Sequence, residues 1–460
     1  MTKQAVQRPR DSSLSVRLFH ACVFAFLVVA MLLGGASRTE VLGPDIVALA
    51  ALPVMGMAIW RLRTTFLPEW RWPLILLGAV MALPLVQLIP LPSFLWTAMP
   101  GRGPIVADLR LASVPIGWAP LSLSPQATWN SFLALLTPAA MLLAGLTIAP
   151  EWRRRMVFFV IGFGVVSVLL GAAQLAGGGD SPLRFYDVTN DSAAVGFFSN
   201  RNHFASMLAC VVVLASAWAA DAALGRTASR RDLALALAAV AIAVAGVGMT
   251  GSRAGLVLLV PAGLGAIALA WRNGVGRGKG WRVLAVLGAG FVVAAVLVQL
   301  TFGVAIDRLQ AGFSQENTRL VAAAGSWSAI KALMPFGSGM GTFVPVYKMF
   351  EDTGAVINTY INHAHDDWIE VVLEGGLAAV LLLLAFVAWF GRQALRIWRL
   401  VGVETGPARA ASLCVLLFMV HSLADYPLRS PANAALFALC CATMLAYPVG
   451  VRRQAVVRPG

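Results

Sequence analysis

The sequence predicts an all-α polytopic membrane protein with about 12 transmembrane helices, and three observations predict it. The chain of 460 residues is 59% hydrophobic and 12% charged, with a mean hydropathy of +0.79, outside the range of ordinary soluble domains. Apolar runs of about 17 to 22 residues recur along it, long enough at about 1.5 Å per residue to cross a hydrocarbon layer about 30 Å thick. The Lys and Arg residues between these runs are alternately dense and sparse, the pattern left by basic loops that stay in the cytoplasm.

The runs lie near residues 18–36, 43–60, 72–89, 127–148, 156–176, 203–221, 233–250, 254–271, 283–302, 371–391, 409–424 and 433–449. Alternate connections carry Arg61/Arg63/Arg71, Arg153/Arg154/Arg155, Arg226/Arg230/Arg231, Arg272/Arg277/Lys279/Arg282 and Arg392/Arg396/Arg399/Arg409. Together with the two termini these positions hold 24 of the 35 basic residues. Both termini are therefore expected in the cytoplasm. The net charge of +14 then reads as a topology signal and an attraction to anionic headgroups, with no nucleic-acid partner expected. The chain divides into residues 1–302 with spans one to nine, 303–370 as a large outer loop, and 371–460 with spans ten to twelve and the tail.

Taken in order, the first three spans carry His20 and Asp45 close to predicted interfaces, where structural roles are expected. The outer loop from Pro90 to Thr128 is rich in Pro, Gly and Trp, without a clear long helical pattern. The next outer loop ends in Gly196-Phe-Phe-Ser-Asn-Arg-Asn-His-Phe-Ala205 as span six begins. Asn200, Arg201 and His203 read equally as a helix cap with interfacial anchors, or as an anion site built from Arg201 and the free N–H groups of a helix N-terminus. Spans seven and eight are joined by Gly251-Ser-Arg-Ala-Gly255, and the cost of an arginine at mid-bilayer, about 2.5 to 3.5 kcal/mol, places Arg253 at the outer interface or in a wet cavity. Gly274-Val-Gly-Arg-Gly-Lys279 only imitates a phosphate loop, because Asn273 and Gly280 stand where its first Gly and its Ser or Thr belong. No cofactor is expected. The five cysteines all fall inside predicted spans and read as small buried hydrophobes.

Polar chemistry concentrates between Gln310 and Gly376, where two of the five histidines stand. Asn317-Thr-Arg-Leu320 leads into a helix predicted from Val321 to Leu333, whose Trp327 and Ile330, with Met334 just beyond it, fall at helical spacing to pack onto the membrane domain. Pro335 stops it. Gly337-Ser-Gly-Met-Gly341 calls for unusual backbone angles or a close approach, or is a plain turn. Asn362 is the expected N-cap of a helix running unbroken into span ten, which sets His365 about 9 Å above the hydrocarbon, at headgroup depth. Asp366, Glu370 and Glu374 recur every four residues as an acidic stripe. Pairing with Arg319 or Arg253 is favoured over a metal, since His363 and His365 are spaced i, i+2 and share no face with the stripe.

Gly196-Phe-Phe-Ser-Asn-Arg-Asn-His-Phe-Ala205, Gly251-Ser-Arg-Ala-Gly255, Arg319 with Trp327, Gly337-Ser-Gly-Met-Gly-Thr-Phe343 and His363-Ala-His-Asp-Asp-Trp-Ile-Glu370 before Glu374-Gly-Gly376 together resemble the O-antigen ligase and polymerase family of bacterial envelope enzymes. The resemblance covers the whole helix plan and departs from the family pattern at Asp366 and Ala379. It implies an inner-membrane glycosyltransferase that moves a glycan from a polyprenyl diphosphate carrier to an acceptor hydroxyl outside the cytoplasm, without metal or nucleotide sugar. Carried over by position, Arg253 and Arg319 correspond to diphosphate-contacting arginines and His365 to the essential histidine. Arg201 joins them by its depth, and His363, Asp366, Asp367, Asn200 and His203 are supporting candidates. The acceptor is left open between lipid A core, a growing glycan and a protein. The rival from another class is a twelve-helix transporter or flippase of lipid-linked glycan.

Overall fold

The computed structural model describes residues 14–36, 41–225, 230–274, 321–351, 361–400 and 405–457. The protein is an all-α polytopic membrane protein. Nine helical segments among the described residues are long and apolar enough to cross a membrane, and two shorter apolar helices, Gly406–His421 and Pro431–Ala446, stand where spans eleven and twelve were expected. The expected span near 283–302 lies outside the described residues.

The bundle is built from α1 (Leu14–Leu33), α2 (Leu42–Thr65), α3 (Arg71–Gln87, entered through a 3-10 turn), α4 (Ser93–Trp96), α5 (Gly103–Leu111), α6 (Pro125–Ala134), α7 (Leu136–Thr147), α8 (Pro150–Ala176), α9 (Arg201–Ala223), α10 (Arg230–Thr250) and α11 (Arg253–Arg272). After the undescribed segment come α12 (321–333), α13 (Phe343–Phe350), α14 (Asp367–Arg399), α15 (Gly406–His421) and α16 (Pro431–Val457). Pro90–Leu91 and Ala119–Pro120 pair as a two-residue antiparallel ribbon that closes the loop holding α4 and α5. Expected span four is two helices. Pro138 has no N–H to return to Ala134, and the helix resets at Leu135.

Helix α9 is the axis of the bundle: 89% of its apolar window is buried, against 17% to 50% for the other candidate spans. It packs against α8, α10, α11, α15 and α16. Its surface of Ala205, Ser206, Ala209, Ala215, Ala219 and Ala220 lets neighbouring backbones approach closely. Gly164 of α8 is one such approach, since a methyl there would sit 2.7 Å from Val211 Cγ2.

The helix leading into span ten departs from expectation in two ways. Its N-cap is Asp366, whose Oδ1 accepts from the N–H groups of Trp368 at 2.9 Å and Ile369 at 3.1 Å; Asn362 lies four residues upstream and donates to the Tyr426 hydroxyl at 3.3 Å. Asp366 wins because its carboxylate meets two free N–H groups beside the positive end of the helix. The helix is also broken at Gly376, where φ is 58° and ψ is −145°, a region open essentially to glycine alone.

The Gly337–Gly341 loop fills that break. Ser338 N donates to Leu373 O at 3.1 Å, Gly339 N to Glu374 O at 2.9 Å, and Leu377 N to Pro335 O at 2.8 Å, so the carbonyls and N–H released by the kink are satisfied by the loop. Gln87, buried at the end of α3, clamps both partners by donating to Glu374 O at 3.0 Å and accepting from Met340 N at 2.8 Å. Unusual angles and close approach therefore both explain these glycines.

Helix α12 spans the expected residues, but it packs differently. Ala322, Ser326, Ala329, Ile330 and Leu333 form its buried face, while Trp327 is 57% exposed. They close a small core with Phe343, Val346, Tyr347, Ile361, Ala364 and Leu373. This core stands on the first turns of α14, which ties the loop between spans nine and ten to the site.

Candidate functional site

The site forms at the end of the bundle where α9, α11, α14 and α16 begin and α15 ends. His365 sits one residue before the Asp366 cap with φ +53°, in left-handed backbone that histidine enters more readily than most side chains. It is therefore off the helix, contrary to the expectation of a continuous helical turn. Its Nδ1 lies 3.2 Å from Oδ1 of the fully buried Asp425. A carboxylate only accepts, so Nδ1 carries the proton and Nε2 holds the lone pair.

Asp425 is held on every side. Its own neighbour Tyr426 donates its N–H to Oδ1 at 3.0 Å, and Asn202 Nδ2 donates to Oδ2. Asn202 Oδ1 in turn accepts from Ser252 Oγ at 2.7 Å, and Ser252 Oγ caps α11 by accepting from Gly255 N at 3.0 Å. Burial alone would raise the Asp425 carboxyl, but the hydrogen bond from His365 and the electrostatic attraction of the imidazoles of His203, His365 and His421 hold it well below the usual carboxylate range. One chain of side chains thus joins the His363–Glu370 segment, the Asn200–His203 segment and the Gly251–Gly255 segment.

A second imidazole repeats the arrangement. His363 Nδ1 lies 2.8 Å from Glu370 Oε1, and Glu370 Oε2 accepts from Ala364 N at 2.9 Å. Tyr426 packs against both histidines, with its ring centroid 4.1 Å from that of His363 and 5.2 Å from that of His365, and the His203 ring stands edge-on to it at 5.0 Å between centroids. Asn200 and Asn362 bond its hydroxyl. Burial first, then the charge of Asp425, raise the phenol above its ordinary value. It stays protonated and serves as a platform.

The acidic residues are taken by a cation that the sequence reading did not name. Arg429, in the 3-10 turn Pro427–Arg429, pairs with Asp367 at 3.2 Å, Glu370 at 3.1 Å and Glu374 at 3.4 Å. Ion pairing is the arrangement found, with Asp367 in the cluster and Asp366 at the cap, where burial raises its carboxyl against the pull of the two N–H groups. Of the two expected partners, Arg319 lies outside the described residues. Glu374 also accepts from Phe343 N at 3.1 Å, tying the glycine loop to the same cluster. Among the described residues no group of three or more His, Cys, Asp or Glu is arranged to hold a metal ion.

Arg201 and Arg253 are the first residues of α9 and α11, each next to one member of the Asn202–Ser252 bond. Arg201 Nη1 reaches within 3.9 Å of where a methyl on Gly251 would stand, which sets the Arg201 guanidinium beside the turn that leads into α11. Arg319 lies outside the described residues. Asp425, Tyr426 and Arg429 were missed, although the signal was present: three polar residues in the short connection between spans eleven and twelve, on the same side as His365 by the alternation of loops.

Fold and site together define a polytopic membrane protein whose polar side chains cluster at one end of its bundle. Residues 238–384 match the family model for O-antigen ligase, which supports the O-antigen ligase family. The matched segment contains Arg253, Arg319, His363 and His365; Asn202, Asp425 and Arg429 come from outside it. None of the curated proteins compared with the chain matches it.

Proposed function

We propose that the protein transfers a glycan from a polyprenyl diphosphate carrier to an acceptor hydroxyl on the non-cytoplasmic face of a bacterial inner membrane. The observation that carries this reading is the His365–Asp425 pair beside the arginine-bearing starts of α9 and α11. Asp425 fixes the His365 tautomer, so Nε2 takes the proton of the acceptor hydroxyl as its oxygen bonds to the anomeric carbon. The bond from that carbon to the diphosphate oxygen breaks, and the diphosphate leaves with the electron pair. Arg201, Arg253 and Arg319 receive it, arginine being suited to charge-assisted, bidentate contact with phosphate. The N–H groups at the starts of α9 and α11 favour the same charge.

An apolar cavity of about 440 Å³ between α3, α7, α14 and α16 supports a lipid-linked donor. Its walls include Leu77, Met81, Leu383, Phe386 and Phe437, and polar lining residues such as Asp367, Ser422 and Arg429 come from the end where the site lies. An isoprenoid chain fits that pattern of a long apolar wall with one polar end.

The test is transfer by purified protein in detergent with chelator present, using a short-chain polyprenyl diphosphate glycan and an acceptor glycolipid. Glycosylated acceptor and released polyprenyl diphosphate in equal amounts are expected. Movement of intact donor across a vesicle membrane without product would replace the enzyme reading with a carrier.

A further inference from the structure

His363 is built with the same care as His365, yet the proposed reaction does not use it. Its Nδ1 is tied to Glu370, a carboxylate 1% exposed that also receives Ala364 N and Arg429. The histidine itself is 16% exposed. The proton shared with Glu370 sits on Nδ1, so the free nitrogen is Nε2, an acceptor. His365 presents the same atom beside the same Tyr426 ring, with 27% of its side chain exposed. Tyr426 therefore carries two imidazoles, each locked at Nδ1 by a buried carboxylate and, among the described residues, without a hydrogen-bond partner at Nε2. Only one is needed to remove the proton of the attacking hydroxyl.

We propose that His363 is the specificity-determining contact for the acceptor sugar, its Nε2 accepting a hydrogen bond from a ring hydroxyl next to the one that reacts at His365. This rests on the glycosyl-transfer reading above. A sugar offers several hydroxyls of similar reactivity, and a base alone takes whichever reaches it. A second acceptor atom fixed on the same platform allows one orientation of the ring and so selects one hydroxyl. Glu370, held by three partners, acts through His363 as a positioning residue.

A plain staple of the loop is the competing explanation, and two isosteres separate it. Asn at position 363 places its amide nitrogen near Nδ1 and keeps the bond to Glu370 while deleting Nε2. Gln places a polar atom near Nε2 and gives up the bond to Glu370. The experiment uses membranes containing the full-length protein with their own lipid-linked substrates, scored for rate per folded protein and for linkage position by methylation analysis of the product. H363N is expected to lose about 10-fold in rate, the weight of one hydrogen bond to substrate, and to give product with mixed linkages. H363Q should keep the parent linkage. A parent rate and a single parent linkage from H363N, with H363Q the poorer variant, would show a staple and overturn the proposal. Equal losses in both variants with the linkage unchanged would overturn it as well. Wild-type membranes that make no product would instead remove the transferase reading on which it rests.

Discussion

His365 and Asp425 are 60 residues apart in sequence, and their side chains meet at 3.2 Å with Asp425 fully buried. In the proposed reaction the carboxylate would do two things: fix which ring nitrogen is free, and stabilise the imidazolium that forms when the hydroxyl proton arrives.

Asp425→Asn is expected to lower turnover about 10²- to 10⁴-fold, since an amide can donate to Nδ1 and leave the proton on Nε2, the wrong tautomer for a base. Donor affinity should change little. The same residue gives a pH signature. Its folded value is depressed, so on acidification the unfolded chain, with a carboxylate near about 3.9, takes up a proton first. Its contribution to stability is full above about pH 4 and is lost as pH falls toward the folded value. Thermal unfolding in detergent between pH 7 and pH 3 should be less acid-sensitive in Asp425→Asn than in wild type. Parallel curves would mean that the carboxylate is not held low.

Arg429 answers three buried carboxylates, and removing it leaves them facing one another without their shared cation. Arg429→Met is expected to cost about 3–5 kcal/mol, the usual range for breaking a buried pair by deleting one partner. Adding Glu374→Gln should recover part of the loss. Unfolding midpoints by fluorescence-detected size exclusion measure both. A single variant as stable as the parent would show the cluster to be incidental.

Gly376 holds the break in α14 open. A methyl there meets Phe336 C at 2.6 Å and demands backbone that other residues enter at a cost of order 1–3 kcal/mol. Gly376→Ala should loosen the Gly337–Gly341 loop more than the bundle, so limited proteolysis should cut near residues 335–342 first while the span helices stay protected. Cleavage as slow as in the parent would mean that the loop does not depend on the kink.

The helices were legible because length and apolarity fix them locally, and His363, His365 and the glycine loop were legible because they stand out in an apolar chain. The cap at Asp366 was open to local reasoning, yet Asn362 looked as good, since what draws Asn362 away is the Tyr426 hydroxyl 64 residues on. Asp425, Tyr426 and Arg429 gain their meaning only from partners far along the chain. Trp327 shared the spacing of Ile330, but periodicity cannot say which side of the stripe the small core of Phe343 and Tyr347 will cover. The kink at Gly376 was hidden for a related reason: Glu374-Gly-Gly376 reads as a weak helix until the loop that fills the break is placed beside it.

Topology is open to a direct measurement. The 24 basic residues on one side are the reason to expect residues 303–370 outside the cytoplasm and both termini within it. Reporter fusions at Gly312 and after Gly460 should report opposite compartments. The same compartment for both would overturn the orientation and, with it, the face at which the site is proposed to work.

The arginines and His365 should separate by kinetic signature. Arg253 starts α11 next to Ser252, and Arg201 starts α9 next to Asn202, so each stands one residue from the network that ends at His365. In the proposed reaction, contacts to the diphosphate would exist in the bound donor and strengthen as charge develops on the leaving oxygen. Arg253→Ala or Arg319→Ala should therefore weaken donor binding and slow turnover together. Lysine keeps the charge without the planar fork, and should restore only part of either. His365→Ala acts on the other bond. Donor binding should stay close to the parent, while turnover falls about 10²- to 10⁴-fold. Binding of radiolabelled donor to purified variants, set beside single-turnover rates, distinguishes the two patterns. A folded His365→Ala protein that turns over at the parent rate would remove the imidazole from the chemistry, and with it the reason for burying Asp425 behind it.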